Sequence, residues 1–359
     1  MTVQGFILID EDGVALNNSG TVQVAGTENR VATKKISKHG QQYTYVSGQA
    51  WRYWWRETLE KHFNWKMSPI TREDKVAFTE ANPFDYDDDD ILGYMRAAKE
   101  PAKNEDDTPK MKNGKEVLEN VTVTRISPLK NSILISAGNV KVATHFSSLS
   151  RLNDNPVPFG KEEYCAIMKG MFSLDLNQVG TFASYNKTGF KNLSKALLKR
   201  ASDEKMETFD DKLVKNKEGN PEQLIRLSKE TRTRRVDDTL QALKFISGGA
   251  MQTSNMGDVT PKFIILATFS TGNHPFSHVV KNDPFTHEAV ILNVEGITEV
   301  LNDYKDQFQG TVFIGKRSGF MDEYNEELKA LETTFSNVKV LTVNQAIDQY
   351  CLQVKTQMP

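Results

Sequence analysis

The first apolar run, VQGFILI at residues 3–9, has no solvent-facing break and predicts a strand buried on both sides. A polar, glycine-bearing stretch to about residue 30 reads as a loop. VATKKISKHGQQYTYV (31–46) follows without a clean period and reads as extended and mobile. The period then becomes helical. Trp51, Trp54, Trp55, Thr58 and Leu59 recur at i, i+3, i+4, i+7 and i+8, the pattern of a buried face, and Ser47 stands where a cap belongs. Gln49, Arg52 and Arg56 fall together on the opposite face.

Residues 58–120 lose the period and read as an insertion, ending in KEPAKNEDDTPKMKNGKE (99–116), a stretch with the composition of a mobile loop. NVTVTRISPLKNSILISAG (120–138) predicts strand, turn at Pro128, strand. Residues 139–165 predict a protruding hairpin with turn residues at its tip, and MKGMFSLDLNQVG (168–180) a central strand. The charged segment 187–235 reads as helical, with Pro221 opening a helix capped by Asn220. Val236, Leu240, Leu243 and Ile246 mark one face of a helix near 233–247, stopped by Gly248-Gly249. KFIILATF (262–269) is a buried strand, and the last ninety or so residues alternate strand and helix. Up to residue 270 the order is strand, helix, strand, strand, helix, strand. That is the ferredoxin-like order used by RNA-recognition-motif proteins, and it makes the fold class α+β.

With 359 residues, 38% hydrophobic and 26% charged, the chain has the composition of a soluble protein with a sizeable core. No apolar run approaches the roughly 20 residues that span a bilayer, and the start lacks a signal-peptide pattern. Two distant cysteines, Cys165 and Cys351, suit a reducing cytoplasm, so the expected location is cytoplasmic. A net charge of −2 argues against a nucleic-acid partner until its distribution is read. No acid lies between Glu28 and Glu57, a window that holds Arg30, Lys34, Lys35, Lys38, Arg52 and Arg56. None lies between Glu119 and Asp154, around Arg125, Lys130, Lys141 and Arg151, nor between Asp238 and Asp258, around Lys244 and GGAMQTSNMG. Acids gather instead in FDYDDDD (84–90) and NEDD (104–107). Converging acid-free segments would form a positive groove on a near-neutral protein.

Catalytic and metal signals are weak. The six histidines form no HExxH pair, and HPFSH (274–278) carries a proline and turn residues that favour a loop. There is no phosphate loop, nucleophile elbow or dinucleotide spacing. DYDDDDILGYM (85–95) has the carboxylates of a magnesium site, but its aspartates read as a solvated face or helix start, with Asp89 or Asp90 as cap. No metal and no cofactor is expected. Binding chemistry fits better: Gln49, Arg52 and Arg56 are spaced to track phosphates, Ser47 and the helix N-terminus add N–H donors, and Met251, Gln252, Thr253 and Asn255 sit in a glycine-flanked loop that a strand can approach closely.

ALNNSG (15–20), KKISKHGQQYTYVSGQAWRYWWRETL (34–59), DDDILGYM (88–95), FSLDLNQVGTF (172–182) and GGAMQTSNMGDVTPKFII (248–265) together resemble the backbone subunit of type I CRISPR effector complexes, or Cascade. This is the seventh Cas family, in the branch labelled DevR autoregulator and typical of subtype I-B. The resemblance implies a hand: a modified RNA-recognition (ferredoxin-like) palm at 1–57, 121–138 and 166–359, a helical fingers insertion at 58–120, and a β-hairpin thumb at 139–165. It implies a non-catalytic protein whose copies stack along a CRISPR RNA, with other Cascade subunits and the target DNA strand paired to the guide as further partners, and no membrane. By position, Ser47, Gln49, Arg52 and Arg56 match the helix gripping guide phosphates; Asn17 and Asn18 match the loop after the first strand; Lys34 and Lys35 match the basic run. Met95 matches a methionine wedged beside a guide base, Met251 to Thr253 the second RNA-facing loop, and Asn255 and Arg125 complete the expected RNA face. His145, Phe146 and Arg151 of the thumb would stack on or pair with a kinked strand. Two rivals are an endoribonuclease of the same superfamily, with a base such as His39, and a DNA-binding autoregulator, for which no helix-turn-helix signal exists.

Overall fold

The computed structural model describes residues 1–24, 27–73, 76–97, 99–101, 108–112, 115–116, 118–148, 158–187 and 191–359. The chain divides into two compact units: Met1–Phe63, Lys130–Leu174 and Asp237–Gln357 form one, and Asn64–Leu129, Asp175–Val236 and Met358–Pro359 the other.

The first unit is built on a large mixed sheet. Its elements in chain order are β1 (Thr2–Val14), α1 (Gly48–Phe63), β2 (Leu134–Ser136), β3 (Pro158–Asp175), α2 (Lys229–Gln241, entering this unit at Asp237) and β4 (Phe263–Phe269). The sheet runs β4-β1-β3-β2 in space. Thr2–Leu8 of β1 pair antiparallel with Phe263–Phe269 of β4, and Ile135 of β2 lies opposite Lys169 of β3. Beyond β4 come α3 (Val294–Asp303), β5 (Val312–Lys316), α4 (Asn325–Thr334), β6 (Val338–Leu341) and α5 (Val343–Gln357), with β5 antiparallel to β4 and parallel to β6.

Alternation along these strands sorts two cores. Phe6 and Leu8 join Phe263, Ile265, Phe269, Ile297, Leu301, Val312, Ile314 and Leu328 on one side. On the other side Phe313 meets Tyr350 of α5 edge-on, and the Tyr350 hydroxyl lies 2.9 Å from Thr268 Oγ1. At the sheet edge Glu332 accepts the Val340 N–H at 2.8 Å, which covers a donor that would otherwise recruit another strand.

The stretch to residue 30, expected as a loop, is strand and hairpin: β1 continues to Val14, and Asn18–Val24 pairs antiparallel with Thr27–Thr33. Its β-branched content suits pairing. Lys35–Lys38 and Gln41–Val46 form a second hairpin whose turn, His39-Gly40, has φ of 50° and 75°, the primed geometry that matches strand twist. His39 is therefore an exposed turn residue. In the 139–165 segment, Ala143–Ser148 pairs antiparallel with the first residues of β3, Ala143 opposite Glu163 and Ser148 opposite Pro158, so one arm of this hairpin is an extension of the central strand.

The second unit differs most from expectation. In 58–120 beyond α1, the described residues hold one helix, Asp87–Leu92, and short antiparallel pairs such as Ile70–Glu73 with Val76–Thr79, and Lys99–Pro101 with Leu118–Asn120. Residues 102–107 and 113–114 of the expected mobile loop lie outside the described residues. The 187–235 segment is not continuous helix either. Lys195–Asp203 is helical, but Glu207–Lys215 and Pro221–Arg226 make a hairpin, with Pro221 opening a strand. The turn decides this: Asn216 Oδ1 accepts the N–H groups of Glu218 (3.1 Å) and Asn220 (2.9 Å), so Asn-Pro marks a chain reversal here.

Candidate nucleic-acid interface

α1 begins as the pattern requires. Ser47 Oγ accepts the Ala50 N–H at 3.3 Å, and Trp51, Trp54, Trp55, Thr58 and Leu59 are buried. Trp51 stacks on Trp55, whose ring meets Phe172 of β3 edge-on and whose Nε1 donates to the Thr239 carbonyl at 2.8 Å. Fixed on that side, α1 turns Gln49 outward and leaves Arg52 and Arg56 half-buried. Burial, and then the neighbouring Arg56 charge, draw the Arg52 pKa down. The first turn holds no acid, so the positive helix end and the two guanidiniums add.

The two polar loops expected to face RNA meet beside this helix. Ala250 donates its N–H to the Leu16 carbonyl at 2.9 Å, joining the glycine-rich loop to the segment before Asn17 and Asn18. Gly248 packs on α1 itself: an added Cβ would come within 2.2 Å of the Trp54 indole, so only glycine permits the approach. Met251 (φ 57°) and Met256 (φ 48°) flank a single helical turn, Gln252–Asn255, that leaves Thr253 exposed. Gln252 does not project, because its amide folds back onto the Gly248 carbonyl. Asn255 turns inward too, its amide lying 3.1 Å from the Ala15 N–H and 3.3 Å from Glu163 Oε1. Met256, 84% exposed at the end of the turn, is an apolar surface that the sequence reading passed over although it lies inside GGAMQTSNMG. Asn17 is half-buried and Asn18 exposed at the start of its strand.

Lys34 and Lys35 are half-buried in the neighbouring hairpin. Lys35 does not stand alone: its Nζ lies 2.8 Å from Glu162 Oε2, and Arg30 pairs with the same carboxylate. Glu162 also accepts the Thr33 N–H and hydroxyl, each at 2.9 Å. Burial would raise its pKa, but Lys35, Thr33 and Arg30 outweigh burial and hold it at about 2. Nothing in the sequence marked Glu162, which lies 127 positions from Lys35 in an ordinary charged run. On the hairpin, His145 Nε2 is 3.7 Å from Glu163, and Phe146 is 65% exposed. Arg151 lies outside the described residues.

Two expected residues belong to the second unit. Met95 is 67% exposed on the strand Tyr94–Arg96. Arg125, expected on the RNA face, is a correction: it is 3% exposed and belongs to an internal ion-pair cluster. Its guanidinium pairs with Asp90, donates to the Thr181 (3.0 Å) and Gln178 (2.8 Å) carbonyls, and lies over the Phe182 ring at 4.3 Å.

The aspartate run is the centre of that cluster rather than a solvated face. Asp87, Asp88, Asp89 and Asp90 are all buried. Arg235 reaches Asp87 and Asp90 at 2.7 Å each, and Arg234 reaches Asp87 at 2.6 Å. Ser68 N–H donates to Asp88 (2.9 Å), Asn82 N–H to Asp89 (2.8 Å) and Gly180 N–H to Asp90 (3.0 Å). Burial would raise the Asp87 pKa, but the two arginines hold it below the usual carboxylate value. Among the described residues no group of three or more His, Cys, Asp or Glu side chains is arranged to hold a metal, and no helix is long and apolar enough to cross a membrane.

No curated protein matches the chain in sequence. Among the solved structures the chain is similar to, one shares its fold at low identity. A chain of a "CRISPR RNA-guided surveillance complex, pre-nicking" superposes with a TM-score of 0.54 at 10% identity, covering 98% of this chain and 100% of that one. A chain of a "CRISPR RNA-guided surveillance complex" gives 0.49 at 9% identity, over 99% and 100%. The family model for the CRISPR-associated negative auto-regulator DevR/Csa2 matches residues 12–289, well over half the sequence, and the chain belongs to that family.

Proposed function

We propose that this protein is a non-catalytic CRISPR RNA-binding subunit whose copies assemble along a guide RNA to form the backbone of a type I Cascade, which recognises target DNA. In this reading the β4-β1-β3-β2 sheet with α1 and α2 is an RNA-recognition-type palm, the hairpin on β3 is the thumb, and the second unit supplies the fingers. The observation that carries it is the juxtaposition on the first unit of the acid-free half of α1, the Asn17–Asn18 segment and the Met251–Met256 turn, locked by the Gly248–Trp54 and Leu16–Ala250 contacts. Cations, backbone donors and a soft apolar residue then line one path, the set that a single strand requires. Burial of the four aspartates, with Asp87 and Asp90 paired to arginines, supports the absence of nuclease chemistry there, since metal-assisted cleavage needs carboxylates open to a cation.

Native mass measurement on RNAs of graded length tests the assembly. Longer RNA should carry proportionally more copies; a fixed stoichiometry at every length would defeat the backbone reading. RNA extracted from the purified protein should contain repeat-derived sequence. Preferential binding of duplex DNA, as a transcriptional regulator needs, would redirect the assignment.

A further inference from the structure

Asp10 and Asp12 of β1 are exposed, while Glu11 between them points inward and is 2% exposed. Its Oε1 has no hydrogen-bond partner among the described residues. Its Oε2 presses on the end of the glycine-rich loop, 2.8 Å from where a Cβ on Gly257 would stand. The charged and titratable groups around it are few. Asp10 and Asp12 lie on its own strand, Asp258 on the loop, Lys262 just before β4, and Tyr164 on β3. Lys262, the one cation among these groups, is bonded to Asp258 at 2.8 Å. Burial foremost, opposed by Lys262 and reinforced by Asp258, Asp10 and Asp12, pushes the Glu11 carboxyl up to about 7. Buried Asp87 and Asp90 of the second unit are paired with arginines; no ion pair is formed by Glu11 among the described residues.

We propose that Glu11 is a proton-binding positioning residue beneath the Met251–Gly257 turn, and that a polyanion laid on this turn is bound together with a proton taken up at Glu11. The inference rests on the RNA-binding reading above and adds a linkage to it. Phosphodiesters stay ionised throughout the neutral range, so their field favours the protonated carboxyl. Reciprocally, the protonated form grips the strand more tightly, because a negative charge has gone from beneath it.

Single-stranded RNA binding by the full chain, measured at pH 6, 7 and 8 at constant ionic strength, should weaken about three- to tenfold as pH rises. Glu11→Gln mimics the protonated form, so it should flatten the profile and hold the pH 8 affinity near the wild-type pH 6 value. The difference between wild type and Glu11→Gln is read in a His39→Asn, His145→Asn, His287→Asn background, which takes three imidazoles of the same unit out of the comparison. Calorimetry of the wild type in two buffers of different ionisation enthalpy gives proton uptake directly, even if Glu11→Gln fails to fold. RNA binding with a flat profile and no proton uptake, or a slope unchanged in Glu11→Gln, would overturn this inference and leave the RNA reading standing. No RNA binding at any pH would overturn both.

Discussion

Two sets of buried acids behave in opposite ways. In the second unit Arg234 and Arg235 meet Asp87, Arg125 and Arg235 meet Asp90, and backbone N–H groups meet Asp88 and Asp89; the arginines hold the Asp87 carboxyl below its usual value and bind their unit together. Glu11 in the first unit is as deeply buried and has no such partner, so it holds a proton into the neutral range. Burial is the same cost in both places; the guanidiniums decide which protonation state answers it. The conspicuous run of four acids is thus structural, and an unremarked glutamate beside the glycine-rich loop is the one poised to titrate.

The contrast breaks most sharply at Arg235. Arg235→Ala removes a buried cation shared by two buried carboxylates, leaving Asp90 to Arg125 and Asp87 to Arg234, and should lower unfolding free energy by about 3 kcal/mol in urea titration. A loss below about 1 kcal/mol would mean that the cluster contributes little.

pH separates the two sets by sign. The Asp87 pKa is lowered on folding, so its contribution is present above the unfolded value near 4 and is lost as pH falls through the folded value. Glu11 is raised from 4.5 to about 7, so its contribution is greatest below the unfolded value and is lost as pH climbs through the folded one. Glu11→Gln should therefore stabilise the protein at pH 8 by about 1–2 kcal/mol, solvent screening taken into account, and change little at pH 4. Thermal melts at the two pH values check this.

The smallest effect concerns the half-buried arginines of α1. Arg52→Ala with Arg56→Ala should weaken binding to all RNA sequences alike. The slope of log affinity against log salt should shrink by roughly one unit, on the order of 0.7 per lost contact. An unchanged slope in a folded variant would remove α1 from the interface.

Much of the frame was legible because it depends on local periodicity. The α1 residues Trp51, Trp54, Trp55, Thr58 and Leu59 are buried as their spacing predicts, and Ser47 caps the helix. Pro221 and the aspartate run were misread for a common reason. Each pattern suits more than one partner: a local turn at Asn216 makes the choice for one, and Arg125, Arg234 and Arg235, far along the chain, make it for the other.

What the sequence determined by itself, then, is the buried strands β1, β3 and β4, the two faces of α1, and the acid-free windows. Side-chain spacing and local hydrogen bonds suffice for these, because both act within a few residues. Only the tertiary structure decided that Arg125 is internal, that Lys35 shares Glu162 with Arg30, that insertions at 58–120 and 187–235 are joined through Asp87 and Asp90, and that Glu11 Oε1 is buried without a hydrogen-bond partner among the described residues. A charge in a sequence has no dielectric and no neighbours until the chain closes around it, and pairing energies depend on both.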